Sequence, residues 1–472
     1  MIEMAGADAY FLWAESLARH MHTLKIIIVD PSTAHAKLDF ERFRGGALRA
    51  LPHLSAFRRR PIAVPLFFGH PFWADAPVLD PDYHLRHEVL PAGGGHGALD
   101  ELASRIASEP LDRNRPLWQI FFVEGLPDGR IAYLTKIHHA VADGMASAEL
   151  VLRSFQESPA PAPMPPTYVG RNEELPPRSR RILQAWRREF ARQRELPGLL
   201  TRSLRSLSVL RSWRGAGRPL PTRPFTAPSS CFNRPTTPNR ICATVKLPLR
   251  EMREIKHAFD CTLNDVYLAL VGGALRAHQQ RHDEAGSRPL TAAVPVSVRR
   301  QQDDPAFGNA IAYWFATTGS DLADPLERLR AVASNTRVAR ALFEACDPRL
   351  SVDWFDHWLL RRLYLSGLPA ILGGLLGRPS YSVIVSNVRG PSRPLYSDGA
   401  RVEALYSMGP LAAHQGLNFT AWSYLDDLAV GIHACREHLP DLRLLADALP
   451  AELEKLSLAA KRARETQAAP AA

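Results

Sequence analysis

The chain reads as an α/β protein of two lobes, each built on a mixed sheet, and three observations predict this. Strand-like and helix-like stretches alternate in both halves, the pattern of layered α/β architecture. At 472 residues the chain exceeds one ordinary core, so two units of about 150 to 230 residues are expected. A composition break divides it: Ser158 to Pro166 is rich in Pro and Ala, and Pro176-Pro177 follows, a run that cannot continue a helix. The divisions are therefore residues 1–157, a Pro/Arg-rich linker with a basic helix over 158–239, a second lobe over 240–462, and a flexible tail over 463–472.

In the first lobe, Leu24 to Val29 is an apolar run expected as a buried strand, and Phe40 to Leu51 has the 3.6-residue spacing of an amphipathic helix. Leu99 to Glu109 is a second helix. Trp118 to Val123 and Arg130 to Ile137 are strands around the turn Pro127-Asp128-Gly129, and Met145 to Phe155 returns to helical spacing. Within the linker, Ile182 to Arg194 is a basic helix, and Gly215 to Pro238 is ordered by lying on other surfaces. In the second lobe Ile241 to Leu247 is a strand. Thr262 is an N-cap for the helix Leu263 to His282, whose apolar face holds Val266, Leu270, Val271, Ala274 and Leu275. Leu290 to Val298 and Ala310 to Thr317 are strands, Leu326 to Phe343 a long helix, and Val383 to Ser386 a short strand. Leu417 to Tyr424 and Ala429 to Ala434 flank the turn Asp426-Asp427. Leu365 to Gly377 is the most apolar window, but Pro369 interrupts it and it is too short to span a bilayer; it reads as core, or as the lining of an acyl-chain cavity or a membrane-touching surface.

Composition narrows the function classes. Hydrophobic residues at 46% and charged residues at 22% are those of a globular protein. Glu3 and Asp8 stand where a secretory signal would carry a basic start and an apolar core, so a cytoplasmic-side protein is expected. The five cysteines (231, 242, 261, 346 and 435) are scattered, odd in number and without a Cys-x-x-Cys pair, which argues against a disulfide framework and against a zinc site, and no metal site is expected. The net charge of +10 raises nucleic acid as a partner, but no motif for it accompanies the charge. Much of the excess lies between Arg171 and Arg218, as a solvated helix face or as a patch for anionic membrane or lipid-droplet surfaces.

The chemistry concentrates in Lys136-Ile137-His138-His139-Ala140-Val141-Ala142-Asp143-Gly144, a paired His, a three-residue gap and Asp-Gly directly after a strand. An imidazole at a strand-to-helix junction, with a near-neutral pKa, suits a general base, and His139 is the candidate. His138 is given a supporting role, packing or hydrogen bonding that orients the loop. Asp143 either orients His139 or fixes the loop, and Gly144 leaves room for substrate. Gly93-Gly94-Gly95 lacks the frame of a phosphate loop and reads as a surface loop.

Several motifs in order carry a resemblance over nearly the whole chain. Pro110-Leu111-Asp112-Arg113-Asn114-Arg115-Pro116-Leu117-Trp118 precedes the histidines. Asn264-Asp265 opens a helix, followed by Pro295-Val296-Ser297-Val298-Arg299, Gly308-Asn309 and Ser386-Asn387-Val388-Arg389-Gly390-Pro391. In these the chain resembles the bacterial wax ester synthase/diacylglycerol acyltransferases, which carry HHxxxDG. The resemblance implies two chloramphenicol-acetyltransferase-like lobes with an active-site channel between them. It also implies acyl transfer from long-chain acyl-CoA to diacylglycerol or a fatty alcohol, with acyl-CoA as substrate and no cofactor. It further suggests that Asp143 bonds an Arg, which the sequence does not name.

Asn264 reads as an oxyanion donor or as a cap or interface residue, and Asp265 as securing the lobe interface. Pro116, Leu117 and Trp118 have no reactive group and read as an anchor beside the channel; Gly308-Asn309 and Ser386-Asn387 read as turns that shape it. The rival readings are a condensation-type acyltransferase of the same superfamily, acting on a carrier-bound or other hydroxyl substrate, and an inactive binding relative.

Overall fold

The computed structural model describes residues 1–64, 69–160, 175–282, 288–301, 303, 307–357 and 379–468. The apolar window 365–377 lies outside them. The described strands, in chain order, are β1 (Ile2–Glu3), β2 (His22–Asp30), β3 (Arg59–Ile62), β4 (Phe72–Asp75), β5 (Leu85–Val89), β6 (Trp118–Glu124), β7 (Ile131–His138) and β8 (Arg240–Pro248). They continue as β9 (Thr291–Ser297), β10 (Ile311–Thr317), β11 (Val383–Val388), β12 (Tyr396–Ser397), β13 (Ala400–Met408), β14 (Leu417–Tyr424) and β15 (Asp427–Cys435).

Two six-stranded sheets dominate, ordered β12-β13-β2-β7-β6-β5 and β10-β9-β11-β14-β15-β8, beside a small sheet β1-β4-β3. Both large sheets are mixed. In the first, β5 and β6 run parallel and the other pairs antiparallel; in the second, β11 runs parallel to both β9 and β14. The expected two-lobed α/β fold is therefore the one found.

Sequence halves and lobes do not coincide. β12 and β13, from the second half, complete the first sheet through the pairing of β13 with β2, Tyr406 opposite Ile26. The boundary at 240 therefore fails for residues 396–408. The helix Gly95–Ala107 of the first lobe in turn lies on β8 of the second. Its Ser104 Oγ accepts from the Cys242 amide at 2.9 Å, and its Asp100 accepts from Thr244 Oγ1 at 2.9 Å. The lobes are thus stitched in both directions.

β2 shows how sequence sets the core. Leu24, Ile26 and Ile28 face the helix Gly95–Ala107, whereas Ile27 and Val29 join the core containing Trp118 and the residues after the paired histidines. Side chains alternate across a strand, so a continuous apolar run fits a strand covered on both faces. The second lobe is centred on the helix Leu263–Arg281, packed by Pro325–Ala345 and Leu442–Ala468. Thr262 is its N-cap, and Asp265 closes a capping box with it. Asp265 also accepts from Thr336 Oγ1 at 2.6 Å, so it ties two helices within the second lobe; it does not secure the lobe interface.

Other departures are local. Ser386 and Asn387 lie inside β11, paired with Thr420 and Ala421, and form no turn. Leu442–Ala468 is helical five residues past the expected start of a flexible tail at 463. The linker holds two helices, Arg178–Gln193 and Leu196–Gly215, where one was expected. They are pinned by ion pairs: Arg188 and Arg192 to Glu3, and Arg202 to Asp347 and Asp353. No helix among the described residues is long and apolar enough to cross a membrane.

Candidate active site

β7 ends at His138, opposite His22 of β2, and the chain must turn there. The turn is held by backbone bonds: the His139 amide donates to Met21 O at 2.7 Å, the His138 amide to Leu117 O at 3.0 Å, and the Val141 amide to His138 O at 3.0 Å. Asp143 then caps the helix Gly144–Ser154, its Oδ1 accepting from the Ala146 amide at 2.8 Å. The motif is thus a strand end, a tight turn and a capped helix start, which displays His139 at a fixed point.

The two imidazoles differ. His139 is 8% exposed and His138 fully buried, so His139 alone keeps contact with solvent. His139 Nδ1 lies 2.9 Å from Asn309 Oδ1. The Asn309 Nδ2 group donates to Asp8 Oδ1 at 2.9 Å and to His139 O at 2.7 Å. Both of those partners are acceptors, which fixes the amide orientation and leaves Oδ1 facing the ring. An amide oxygen only accepts, so Nδ1 carries the proton and Nε2 presents a lone pair. Phe11 stacks on the ring, centroids 4.2 Å apart, and restricts its rotation.

Electrostatics keep this imidazole neutral. Burial pushes its pKa down to about 4, against the pull of Asp143 and of the Asn309 hydrogen bond. Asp8 behaves oppositely. Burial raises its carboxyl to about 7, although the Asn309 side chain and amide both donate to it.

Asp143 is fully occupied. Its Oδ2 accepts from Arg299 Nη2 at 2.8 Å and from the Ala310 amide at 2.9 Å. Arg299, the Arg that the sequence did not name, also donates to Phe307 O and Gly308 O. Gly308 pairs with the turn itself, donating to Val141 O at 2.7 Å and accepting from the Asp143 amide at 3.3 Å, with φ +81°. Gly308 and Asn309 are thus a clamp on the His loop from the second lobe, a larger part than the shaping turn expected.

His138 accepts from the Ala140 amide at Nδ1, 3.1 Å, and its Nε2 lies 3.4 Å from Glu15. Glu15 is held at about 2: burial alone would raise it, and contacts with His138 and Arg113 pull it down. Arg113 belongs to the Pro110–Trp118 motif and pairs with Glu15 at 2.6 Å, linking that motif to His138. Leu117 and Trp118 are buried. Trp118 Nε1 donates to Phe57 O at 2.8 Å, its ring stacks on His84, and Pro116 O accepts from the Trp118 amide.

A Cβ on Gly144 would meet Val388 of β11 at 3.0 Å, so the tight neighbour there is the second lobe. Asn264 is half-buried at the second position of the helix Leu263–Arg281, and no described hydrogen bond joins it to His139. Among the described residues, the side chains that could gather a metal ion are His278, His282 and Asp441 in the second lobe, where both imidazoles contact Asp441.

The sequence reading missed Asp8, Phe11, Asn309 and Arg299 as site residues. A carboxylate within the apolar stretch Gly6–Ala14 was the available signal for Asp8, and the motif positions of Arg299 and Asn309 were visible without their partners.

The assembly has counterparts. Residues 4–267 match the wax ester synthase/diacylglycerol acyltransferase catalytic domain, and residues 307–457 match the C-terminal domain of the same family. A Mycobacterium tuberculosis protein provisionally named a diacylglycerol O-acyltransferase is 33% identical over 460 residues, 97% of this chain and 90% of its own length. Another from that organism, named likewise, is 32% identical and covers 99% of both chains. The solved wax ester synthase/diacylglycerol acyltransferase of Marinobacter aquaeolei VT8 superposes with TM-score 0.71 at 26% identity, covering 98% of this chain and all of its own. A condensation domain of the calcium-dependent antibiotic synthetase shares the fold, with TM-score 0.60 at 18% identity. The chain belongs to the wax ester synthase/diacylglycerol acyltransferase family and is an acyltransferase.

Proposed function

We propose that the protein transfers a long-chain acyl group from CoA to the hydroxyl of diacylglycerol or of a long-chain alcohol, with His139 as general base. The observation that carries this is the tautomer: Nδ1–H is committed to Asn309 Oδ1, so Nε2 is left to accept a proton. As the hydroxyl oxygen attacks the thioester carbonyl, its proton passes to Nε2. The tetrahedral intermediate then collapses, the C–S bond breaks, and the CoA thiolate recovers that proton. Asp143 takes no part in the transfer; bound to Arg299, Ala310 and Ala146, it holds the loop. No nucleophilic cysteine is needed, and burial raises the thiols of Cys242, Cys261 and Cys346 away from the reactive range.

A place at a lipid surface fits the same reading. Leu183, Trp186, Phe190, Leu200, Leu204 and Leu207 are exposed on the two linker helices, among arginines such as Arg187, Arg194 and Arg205. Sedimentation with anionic vesicles should fall for Trp186→Glu/Phe190→Glu; unchanged binding would sink this part.

The test of function is thiol release from palmitoyl-CoA, with hexadecanol or dioleoylglycerol supplied separately and His139→Ala alongside. The expected result is acceptor-dependent release that vanishes in the variant. Release that persists in His139→Ala would remove His139 as the base, and no release with either acceptor would overturn the substrate assignment.

A further inference from the structure

Lys25 is a buried cation that the proposed chemistry leaves unused. Lys25 lies on β2, is 4% exposed, and shares a strand face with Thr23, Ile27 and Val29. Its cross-strand neighbours are Thr135 on β7 and Ser407 on β13. Ser407, Lys25 and Thr135 thus form one polar row across three central strands, all buried, whereas the next row on that face is Leu405, Ile27 and Tyr133. An apolar face interrupted by one buried polar row has a cost that packing does not repay.

The contrast with Lys136 is direct. Lys136 points to the other face and is satisfied by two backbone carbonyls of the helix end, Ile106 O and Glu109 O. For the Lys25 ammonium the described contacts are Thr23 Oγ1 at 3.5 Å, long for a hydrogen bond, and the Trp422 ring of the second sheet at 5.5 Å. No carboxylate among the described residues supports its charge, and burial lowers its pKa to about 8. An ammonium carries three N–H donors, and among the described residues one long acceptor meets them, so this group has donors to offer an anion.

Its place along the strand sets what that anion is attached to. Thr23 stands opposite Ile137, two residues before His139, and its hydroxyl bonds Ile137 O at 3.3 Å. Along the chain leading into β2, Thr23 stands two residues, roughly 7 Å at about 3.3 Å per residue, from Met21, whose carbonyl accepts from the His139 amide. Burial is the main cause of the lowered His139 pKa, and the Lys25 charge acts in the same direction.

We propose that Lys25, with Thr23, Thr135 and Ser407, forms an anion subsite for a carboxylate carried a few bonds from the acceptor hydroxyl, so that this enzyme accepts hydroxy acids. A single ammonium flanked by hydroxyls matches a monoanion; a phosphate dianion would call for more cationic donors. The inference rests on His139 as the base that receives the acceptor hydroxyl.

The experiment measures equilibrium binding of 3-hydroxyhexadecanoate and of its methyl ester to the full chain and to Lys25→Met, with thiol release from palmitoyl-CoA for the same pair. Methionine keeps the length of the stem and removes the charge, and the melting temperature of the variant is expected to hold or rise. The wild type should bind the acid at least tenfold more tightly than the ester, and Lys25→Met should bring the two within about twofold. Equal binding in the wild type, or an acid preference that survives in Lys25→Met, would overturn the subsite. Acid preference in binding without thiol release from either acceptor would leave Lys25 assigned and refute the acyl-transfer reading of the acceptor.

Discussion

Asn309→Ala removes the acceptor that selects the His139 tautomer, and its consequence follows from the hydrogen bonds lost. Three disappear: Asn309 Oδ1 to His139 Nδ1 at 2.9 Å, and Nδ2 to Asp8 at 2.9 Å and to His139 O at 2.7 Å. Asp8 keeps the backbone amide of residue 309 as a donor at 2.7 Å, so its buried carboxyl is not stranded. At about 1 kcal/mol net per bond, folding stability should fall by roughly 2–3 kcal/mol. Catalysis should suffer separately. Without the amide oxygen the imidazole populates both tautomers and can turn in its plane, with Phe11 stacking as the remaining restraint. Misplacement of a reacting group by about 1 Å costs on the order of a hundredfold in rate, or about 2.7 kcal/mol of barrier. Steady-state thiol release should show kcat reduced about a hundredfold and KM for acyl-CoA nearly unchanged, because nothing on the donor's path is removed. A folded Asn309→Ala with kcat within threefold of wild type would refute the orienting role. So would a change confined to KM.

Arg299→Met should lower stability by roughly 3–5 kcal/mol, because it leaves Asp143 buried at the helix start without its cation; a thermal shift of under about 2 °C would contradict the clamp. Acid should destabilise the fold well before surface carboxylates titrate. Burial holds His20, His84 and His139 at about 4, His433 at about 3, and His22 well below its ordinary 6.5. Their stability contribution is present above about pH 6.5 and is lost as pH falls towards 4, since the unfolded chain takes protons that the folded chain refuses. Asp8 and Asp100, raised to about 7 and 6, and Asp356, also raised by burial, act in the opposite sense, but three groups oppose six, since burial lowers His438 as well. The urea midpoint should therefore be lower at pH 5 than at pH 7.5, and an equal or higher midpoint would overturn this account.

What the sequence determined by itself is local and periodic. The strand before the paired histidines, the helix capped by Thr262, and the hairpin of Leu417–Tyr424 with Asp427–Cys435 follow from alternation, apolar spacing and capping chemistry within a few residues. The candidate base was equally legible, because an imidazole pair followed by Asp-Gly marks its own turn. What only the tertiary structure decided is which distant groups meet that base. Asp8 lies 131 positions before His139 and Asn309 lies 170 after it, and no local pattern reports such a meeting. The same limit hid β13: its residues alternate as any strand does, but pairing with β2, across hundreds of residues, puts them in the first sheet. Lys25 is the sharpest case. In sequence it is one charge in an apolar run, and burial between two sheets, with no carboxylate partner among the described residues, is what makes its charge a question of function. Hydrogen bonds and desolvation depend on separation in space, so the residues that tune the site could be read only once the chain was folded.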